Sequence, residues 1–441
     1  MASALTAGTA TADITPSDSQ FLFGYPHVRR YSTGVHDSLL SSALFLFDGK
    51  APLLFVANDV IYVSRTTARR VRDRIAKRTQ IPAANIMITA THTHSGPLTA
   101  DTISNEGDLA VPKTDPRYVE RLEQGIVEAA VQAFHNAKPA EIGFATADGS
   151  CVGTNRHDPK GPSIPEVPVL VVRDPDSKAF LAAMLVCSMH PTVLHEDSTL
   201  VSADFPGMAR QYLQKHVVGE DCPVVYHTGP CGNQSPRHVT RANTFDEATR
   251  LGQMLGRSIA DVVSAMQYSG DVRLARARAL TDLPRRGFPK VDEAREQVEL
   301  AAKRLETLRR SKAGRCEVRT AECDWFGAEE TLALAKAAVA KRLNAAIASV
   351  VPAEIQLMRI GPWSFVGWPG EVFVEFALMV KASHPNCHVI SMANGELQGY
   401  LVTEEAMRQH WYEAMNSLFS SPEAGMVLVN RTLELLRSQG V

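Results

Sequence analysis

Short apolar runs alternate along the chain with segments of helical periodicity. The runs predict strands at 43–47, 52–57, 86–90, 167–172, 179–186, 224–227, 353–360 and 363–367. Apolar residues at three- and four-residue spacing predict helices at 64–79, 117–135 and 245–266. Alternating strands and helices of this kind are typical of α/β proteins. We therefore predict an α/β fold with a mixed sheet.

Residues 288–350 differ from the rest because their helical pattern is rich in charge. Apolar positions recur at helical spacing over 291–311 and 328–349, which predicts two amphipathic helices, arranged as a hairpin. This pair could act as a lid, form an oligomer contact or simply support the main unit. No linker separates two domains, so we predict a single domain over 1–441 with a helical insertion at 288–350.

Composition excludes several classes of protein. The chain has 441 residues, with 46 Lys and Arg against 48 Asp and Glu, and a formal net charge of −2. No basic stripe indicates a nucleic-acid partner, and no apolar run has the length of a membrane span. The seven cysteines are odd in number and lack a Cys-x-x-Cys pair, and the first residues do not resemble a signal peptide. We expect a cytoplasmic protein that acts on a small molecule and is not stably inserted in a membrane; a homo-oligomer is left open.

The sequence Thr-His-Thr-His-Ser-Gly-Pro at 91–97 directly follows the predicted strand 86–90. Residues two apart on a strand point to the same face, so the pattern places His92 and His94 together at the strand end. Neutral imidazole is a common metal ligand, and α/β proteins bind ligands at strand ends. The alternative is one structural and one solvated histidine.

Other polar residues follow predicted strands in the same way. His190 follows the strand 179–186, Ser235 lies in a turn after 224–227, and Glu371 follows 363–367 and opens a predicted helix at 372–380. A glutamate in the first turn of a helix can also be a simple capping residue. Convergence of these groups at one edge of a sheet would form a metal hydrolase site.

Five segments occur together in one order: THTHSGP at 91–97, MHPT at 189–192, SADFPG at 202–207, PGE at 369–371 and GYLVTEE at 399–405. With Ala12-Asp13-Ile14-Thr15, Phe23-Gly24-Tyr25 and Asn155-Arg156, this set resembles the neutral/alkaline non-lysosomal ceramidase superfamily, specifically its N-terminal catalytic domain. The resemblance extends from about residue 7 to residue 430. It implies a ceramidase-like, mixed-sheet α/β catalytic domain.

The resemblance also implies roles for individual residues. It implies zinc as the cofactor, bound by His92, His190, Glu371 and Tyr400, and it implies His94, Arg156 and Tyr412 as catalytic residues. Zinc-activated water would attack an amide carbonyl, while the catalytic residues handle proton transfer and the developing oxyanion. Ser235, Asn233, Asp204 and His195 lie within or beside the same motifs and are the predicted substrate-binding residues.

Several departures from the family pattern concern the substrate. Asn233 stands where the family usually has aspartate, and a mostly polar loop at 98–108 replaces a glycine-rich continuation after THTHSGP. The helical pair matches no ceramidase motif, and an immunoglobulin-like C-terminal domain is not expected. An enzyme that extracts ceramide from a membrane needs an apolar groove, for which this loop is a poor rim. The sequence therefore predicts a zinc-dependent amidase of small soluble N-acyl compounds.

Other functions are compatible with parts of the pattern. A zinc-dependent esterase or lactonase would use the same activated water, and a true ceramidase would act on N-acylsphingosine. A metal-free serine hydrolase would need Ser235 or Ser95 as nucleophile, but the chain has no Gly-x-Ser-x-Gly elbow. A catalytically silent binding protein is disfavoured by the retained histidine, arginine, glutamate and tyrosine set.

Overall fold

The computed structural model describes residues 5–419 and 422–440. Its first sheet contains, in spatial order, Ile86–Ala90, Pro52–Asn58, Leu40–Phe47, Thr6–Asp13 and Lys138–Pro139. The pair Pro52–Asn58 and Ile86–Ala90 is parallel, and the other pairs are antiparallel. The helices Arg65–Thr79 and Pro116–His135 pack against this sheet through an apolar cluster that includes Val71 and Ile126.

The second sheet contains, in spatial order, Val224–Thr228, Phe180–Cys187, Glu166–Arg173, Glu141–Asp148 and Tyr268–Ser269. Only its edge pair, Val224–Thr228 with Phe180–Cys187, is parallel. The helices Asp204–Leu213 and Phe245–Val263 pack against one face, where Phe205 and Leu251 are fully buried. The segment that follows its strand Phe180–Cys187 carries His190.

The third sheet contains, in spatial order, Leu274–Thr281, Ala353–Ile360, Trp363–Gly367 and Cys387–Ile390. The helices Val374–Ser383 and Pro422–Ser438 cover it. One apolar cluster joins all three sheets, since Phe55, Met184 and Phe365 belong to it and are buried. The predicted α/β fold with mixed sheets is therefore confirmed.

Three short strand pairs lie near the ends of the main strands. They join Gly34–Val35 to Leu200–Val201, Thr154–Asn155 to Gln234–Ser235, and Glu371–Val372 to Tyr400–Leu401. The short helices Glu404–Arg408 and Tyr412–Met415 follow the last of these pairs. Within the described residues, no helix has both the length and the hydrophobicity needed to cross a membrane.

Residues 288–350 form three helices rather than the predicted two. They span Val291–Arg310, Arg315–Val339 and Leu343–Val350, and the first two pack against each other. The second helix begins 13 residues before the predicted start at 328, and its first turns carry polar residues such as Arg319 and Asp324. These residues line a cavity. The first turns of this helix therefore carry no continuous apolar stripe, and the apolar residues there do not recur at helical spacing.

The predicted placement of Glu371 in a first helical turn is wrong. Glu371 lies in the two-residue strand Glu371–Val372, and the helix begins at Val374. Its strand pairs in parallel with Tyr400–Leu401, so that Glu371 is opposite Tyr400. This pairing is a long-range contact, which local helical periodicity cannot reveal.

Candidate metal centre and active-site cavity

His92 and His94 leave the first sheet beyond the end of the strand Ile86–Ala90. The backbone at His92 has a φ of +69°, so the two rings meet through a turn rather than by strand alternation. Their ring centres are 5.0 Å apart. Nδ1 of His92 donates to the carbonyl oxygen of Ile61 at 3.0 Å, and Nδ1 of His94 donates to that of Gly24 at 3.1 Å. Each bond directs Nε2 of its ring toward the same space.

His190 reaches that space from the second sheet. It follows the strand Phe180–Cys187, and its Nδ1 donates to the carbonyl oxygen of Cys231 at 2.6 Å. The centre of its ring is 4.8 Å from that of His92 and 5.9 Å from that of His94. A backbone carbonyl that accepts from Nδ1 fixes the tautomer with a free lone pair on Nε2, as is typical of metal-binding histidines.

Glu371 supplies a carboxylate to the same cluster. Its Oε2 lies 3.0 Å from Nε2 of His190 and 3.3 Å from Nε2 of His92. Its Oε1 accepts a hydrogen bond from the hydroxyl of Tyr62 at 2.8 Å. Burial favours the neutral carboxyl, but the neighbouring imidazoles of His92 and His190 outweigh it and hold the pKa of Glu371 well below its usual value.

These groups fit a metal ion. One ring nitrogen from each of His92, His94 and His190 lies within 4.8 Å of the other two. Within the described part of the chain, the buried Nε2 atoms of His92 and His94 accept no hydrogen bond. Several buried lone pairs that converge on one point without a donor are costly unless a cation occupies that point. Imidazole nitrogens with one carboxylate are a donor set found in catalytic zinc sites.

Two tyrosines lie beside this cluster. Tyr400, opposite Glu371 in the strand pair, stacks on His190 with ring centres 6.4 Å apart. Tyr412 begins the short helix Tyr412–Met415, and its ring centre is 5.8 Å from that of Tyr400. Burial raises the pKa of both phenols well above the usual value. Both are therefore protonated and can donate a hydrogen bond.

Arg156 enters the site on a buried ion pair with Glu413. Its Nε donates to Oε1 of Glu413 at 2.6 Å, and His157 lies 2.9 Å from the same oxygen. The ring of His157 stacks on Trp411 with centres 3.8 Å apart. Burial favours neutral Glu413, but Arg156 and His157 prevail and lower its pKa. Glu413 thus orients the guanidinium, which lies 5.4 Å from the ring centre of Tyr400.

A cavity of about 410 Å³ opens in front of these groups, a size within the range of small-molecule sites. His94, His190, Arg156, Tyr400 and Tyr412 all line it. The first turns of the helix Arg315–Val339 form one wall. A smaller chamber of about 60 Å³, lined by Tyr62, Glu330 and Gln398 among others, adjoins it past His94 and the two tyrosines.

The predicted substrate-binding residues separate into two pairs. Ser235 and His195 line the larger cavity. Asn233 instead accepts from the backbone nitrogen of Val374 at 2.9 Å. Asp204 accepts from the backbone nitrogen of Leu194 at 2.9 Å, and burial raises its pKa to about 7. Neither Asn233 nor Asp204 is among the described residues that line the cavity, so a substrate contact by them stays a prediction.

Sequence reasoning missed Tyr62, which bonds Glu371, and gave no role to Gly24 or Tyr25. The hydroxyl of Tyr25 donates to the carbonyl oxygen of Leu194 at 2.6 Å, and its ring lies between His94 and His195 with centres 5.3 and 5.2 Å away. The segment Phe23-Gly24-Tyr25 was a detectable signal because it matches the family pattern. Tyr62 carried no such signal, since it lies in no recognised motif.

Residues 5–159, which include His92, His94 and Arg156, match the family profile described as neutral/alkaline non-lysosomal ceramidase, N-terminal. Over these residues the chain is similar to the neutral/alkaline ceramidases. It is 26% identical over 238 residues to a neutral ceramidase of Mycobacterium tuberculosis, a match that covers 49% of this chain and 37% of the relative. It is 24% identical over 236 residues to neutral ceramidase B of Dictyostelium discoideum, a match that covers 48% of this chain and 32% of the relative.

The matched segment thus spans about a third of the length of these curated ceramidases. A solved structure matches nearly the whole chain in fold. The crystal structure of neutral ceramidase from Pseudomonas aeruginosa matches with a TM-score of 0.73 at 18% identity, over 99% of this chain and 75% of that chain. At this identity the match shows a common fold. The family's hydrolytic activity and substrate come to this ceramidase-like chain as proposals.

Proposed function

We propose that this protein is a zinc-dependent hydrolase that cleaves the amide bond of a small N-acyl compound. One observation supports this above all: ring nitrogens of three histidines and the Glu371 carboxylate converge beside a cavity. His92, His190 and Glu371, with Tyr400 beside them, would hold the ion. When bound, zinc would act as a Lewis acid and lower the pKa of a coordinated water to about 7.

The chain's own residues would manage the proton and the carbonyl. His94 faces the cavity with an Nε2 that accepts no hydrogen bond within the described residues, so it can take a proton there. Burial, with the nearby His92 and His190, lowers the pKa of His94 and keeps its ring neutral, as a base must be. Arg156 and the protonated phenol of Tyr412 would donate hydrogen bonds to the substrate carbonyl as negative charge develops.

The cavity walls support a soluble substrate with a modest group beside the amide. The small chamber of about 60 Å³ has room for about two waters. Thr102, Ser104 and Asn105 of the loop at 98–108 form part of its lining, together with apolar residues such as Phe23 and Ile61. Charged residues of the helix Arg315–Val339 form a wall of the larger cavity. A long lipid chain would have to displace water from these charges, which is unfavourable.

Metal analysis and a graded substrate series test the proposal. Protein purified without chelators should contain about one zinc per chain, and chelation should abolish turnover. N-acyl amides with acyl chains from acetyl to palmitoyl should show a kcat/KM that falls with length. Full activity in metal-free protein would refute the zinc mechanism. A preference for the matching esters would indicate an esterase or lactonase instead, and a preference for long-chain ceramide in detergent would indicate a true ceramidase.

The cytoplasmic location predicted from cysteine usage is likewise a proposal. Fractionation of the source cells into cytoplasmic, membrane and exported material would test it.

A further inference from the structure

The charges that line the larger cavity are not evenly compensated. Each of its four carboxylates already has an arginine partner: Glu413 pairs with Arg156, Glu196 with Arg319, Glu322 with Arg309 and Arg319, and Asp324 with Arg304. Two of these partners, Arg304 and Arg309, belong to the neighbouring helix Val291–Arg310. The carboxylates of the cavity are therefore neutralised without Arg237 or Arg315, which also line it.

Arg237 has only neutral partners. Its Nη1 donates to the carbonyl oxygen of Arg156 at 3.4 Å and to Oγ1 of Thr320 at 3.3 Å, and its Nη2 lies 3.9 Å from Sγ of Cys323. Within the described residues, it forms no ion pair with a carboxylate. Burial, together with the nearby charge of Arg156, lowers its pKa. The guanidinium is thus a partly desolvated cation that no carboxylate of the described residues contacts as an ion pair, although Glu413 lies near enough to raise its pKa.

Arg315 extends this positive side of the cavity toward solvent. It is exposed, and its Nη2 donates to the amide oxygen of Asn243 at 2.6 Å. It also forms no ion pair with a carboxylate among the described residues. An uncompensated buried cation is costly, and a guanidinium binds a carboxylate through two parallel hydrogen bonds. A neutral amphiphile such as an N-acylated amino alcohol would leave both arginines without a counterion.

We propose that the substrate of this site is an N-acyl amino acid or a similar amide that bears a carboxylate, and that Arg237 binds this carboxylate while Arg315 adds to the local positive charge. This inference rests on the proposed amide hydrolysis and specifies its substrate class. Arg237 is a specificity-determining residue in this scheme, because it contacts a part of the substrate that does not react.

A matched pair of substrates tests the proposal. N-acetylphenylalanine and N-acetylphenylalaninol release the same acetate and differ only in a carboxylate that is replaced by a neutral CH₂OH group. The wild-type protein should favour the acid by about 10- to 100-fold in kcat/KM, the range of a hydrogen bond to a charged group. Arg237→Gln should abolish this preference, because kcat/KM should fall at least about tenfold more for the acid than for the alcohol. Arg237→Lys should retain part of the preference, since lysine keeps the positive charge but lacks the two parallel N–H donors of a guanidinium.

Arg257→Gln is the matched control, because Arg257 is exposed on the helix Phe245–Val263, away from the cavity lining, where it donates to Gln253 and lies 5.9 Å from the ring centre of Tyr212. It should retain the full preference. Equal use of the two substrates by the wild-type protein would overturn the inference. So would an Arg237→Gln protein that loses activity equally on both, which would assign Arg237 a structural role. Zinc content and thermal unfolding of each variant would confirm that its fold is intact.

A binding measurement keeps the inference separate from the proposed reaction. If neither amide is cleaved by zinc-loaded protein, the proposed hydrolysis fails, and calorimetric titration with phenylacetate and phenylacetamide still decides the anion site. Phenylacetate should bind the wild-type protein at least about tenfold more tightly than it binds Arg237→Gln. Equal affinity in the two proteins would mean that the carboxylate does not bind Arg237, and would refute the site.

Discussion

Nδ1 of His94 donates a hydrogen bond to the backbone carbonyl of Gly24 at 3.1 Å, and Gly24 lies so close to the ring that a side chain there has no room. Gly24 has a φ of +127°, a conformation that side-chain-bearing residues rarely adopt, and a Cβ built on it would overlap Nδ1 of His94. The glycine of Phe23-Gly24-Tyr25 thus fixes both the tautomer and the position of the imidazole.

Gly24→Ala should therefore inactivate the protein through His94. The added methyl group must displace the ring, and we expect turnover to fall by about two orders of magnitude or more, as when a general base is lost. Steady-state kinetics with zinc analysis would measure this. Gly219→Ala is the control, because Gly219 also has a positive φ of +99° but no atom within 4 Å of a built Cβ. It should lose about 1–3 kcal/mol of stability and keep its turnover. Equal turnover in both variants would contradict the assigned role.

Alanine variants of the three histidines should distinguish metal ligands from the base. His92→Ala and His190→Ala should lose zinc and activity together, with activity reduced more than stability. His94→Ala should keep zinc and lose about two to four orders of magnitude in turnover. A ring nitrogen of His94 lies within 4.8 Å of those of His92 and His190, so the experiment tests whether His94 also binds the metal. Loss of zinc from His94→Ala would show that His94 is a ligand.

Removal of the Tyr412 hydroxyl should have a milder effect. Tyr412→Phe should retain zinc and lower turnover less than His94→Ala does, because Arg156 can still bind the developing oxyanion. Tyr118→Phe is a suitable control, since its buried hydroxyl bonds the carbonyl oxygen of Ile14 at 3.0 Å outside the cavity lining. It should cost about 1 kcal/mol of stability and leave kcat unchanged. A kcat equal to wild type in Tyr412→Phe would remove this tyrosine from the mechanism.

Glu413→Gln should show a pH-dependent loss of stability. The pKa of Glu413 is lowered in the folded protein, so its ionised form favours folding above the ordinary glutamate pKa of 4.5. Breaking its buried pair with Arg156 should cost about 3–5 kcal/mol at pH 7. As pH falls below 4.5, the unfolded state takes up the proton first, so the wild-type advantage should shrink. Urea unfolding of both proteins at pH 7 and pH 3.5 would measure the difference; an equal deficit at both values would contradict the linkage.

The local pattern of apolar and polar residues was sufficient to predict the helices and strands that bury an apolar face. The strands Pro52–Asn58 and Ile86–Ala90 and the helices Arg65–Thr79 and Pro116–His135 lie within a residue or two of their predicted bounds. In each, burial follows a regular period that is present in the sequence itself. The same pattern did not predict the helical turns over residues 315–327, because they face the cavity with charged residues and not an apolar core.

The identities of the chemical groups were likewise present in the sequence, in motifs that carry His92, His94, His190, Glu371 and Arg156. Their geometry was decided only by contacts between distant segments. The strand pair that places Glu371 opposite Tyr400, and the hydrogen bond from Tyr62 to Glu371, join residues far apart in the chain. The same holds for the charge balance that leaves Arg237 without a carboxylate. Sequence determines which groups exist, whereas burial and long-range pairing determine which of them meet and which charges remain uncompensated.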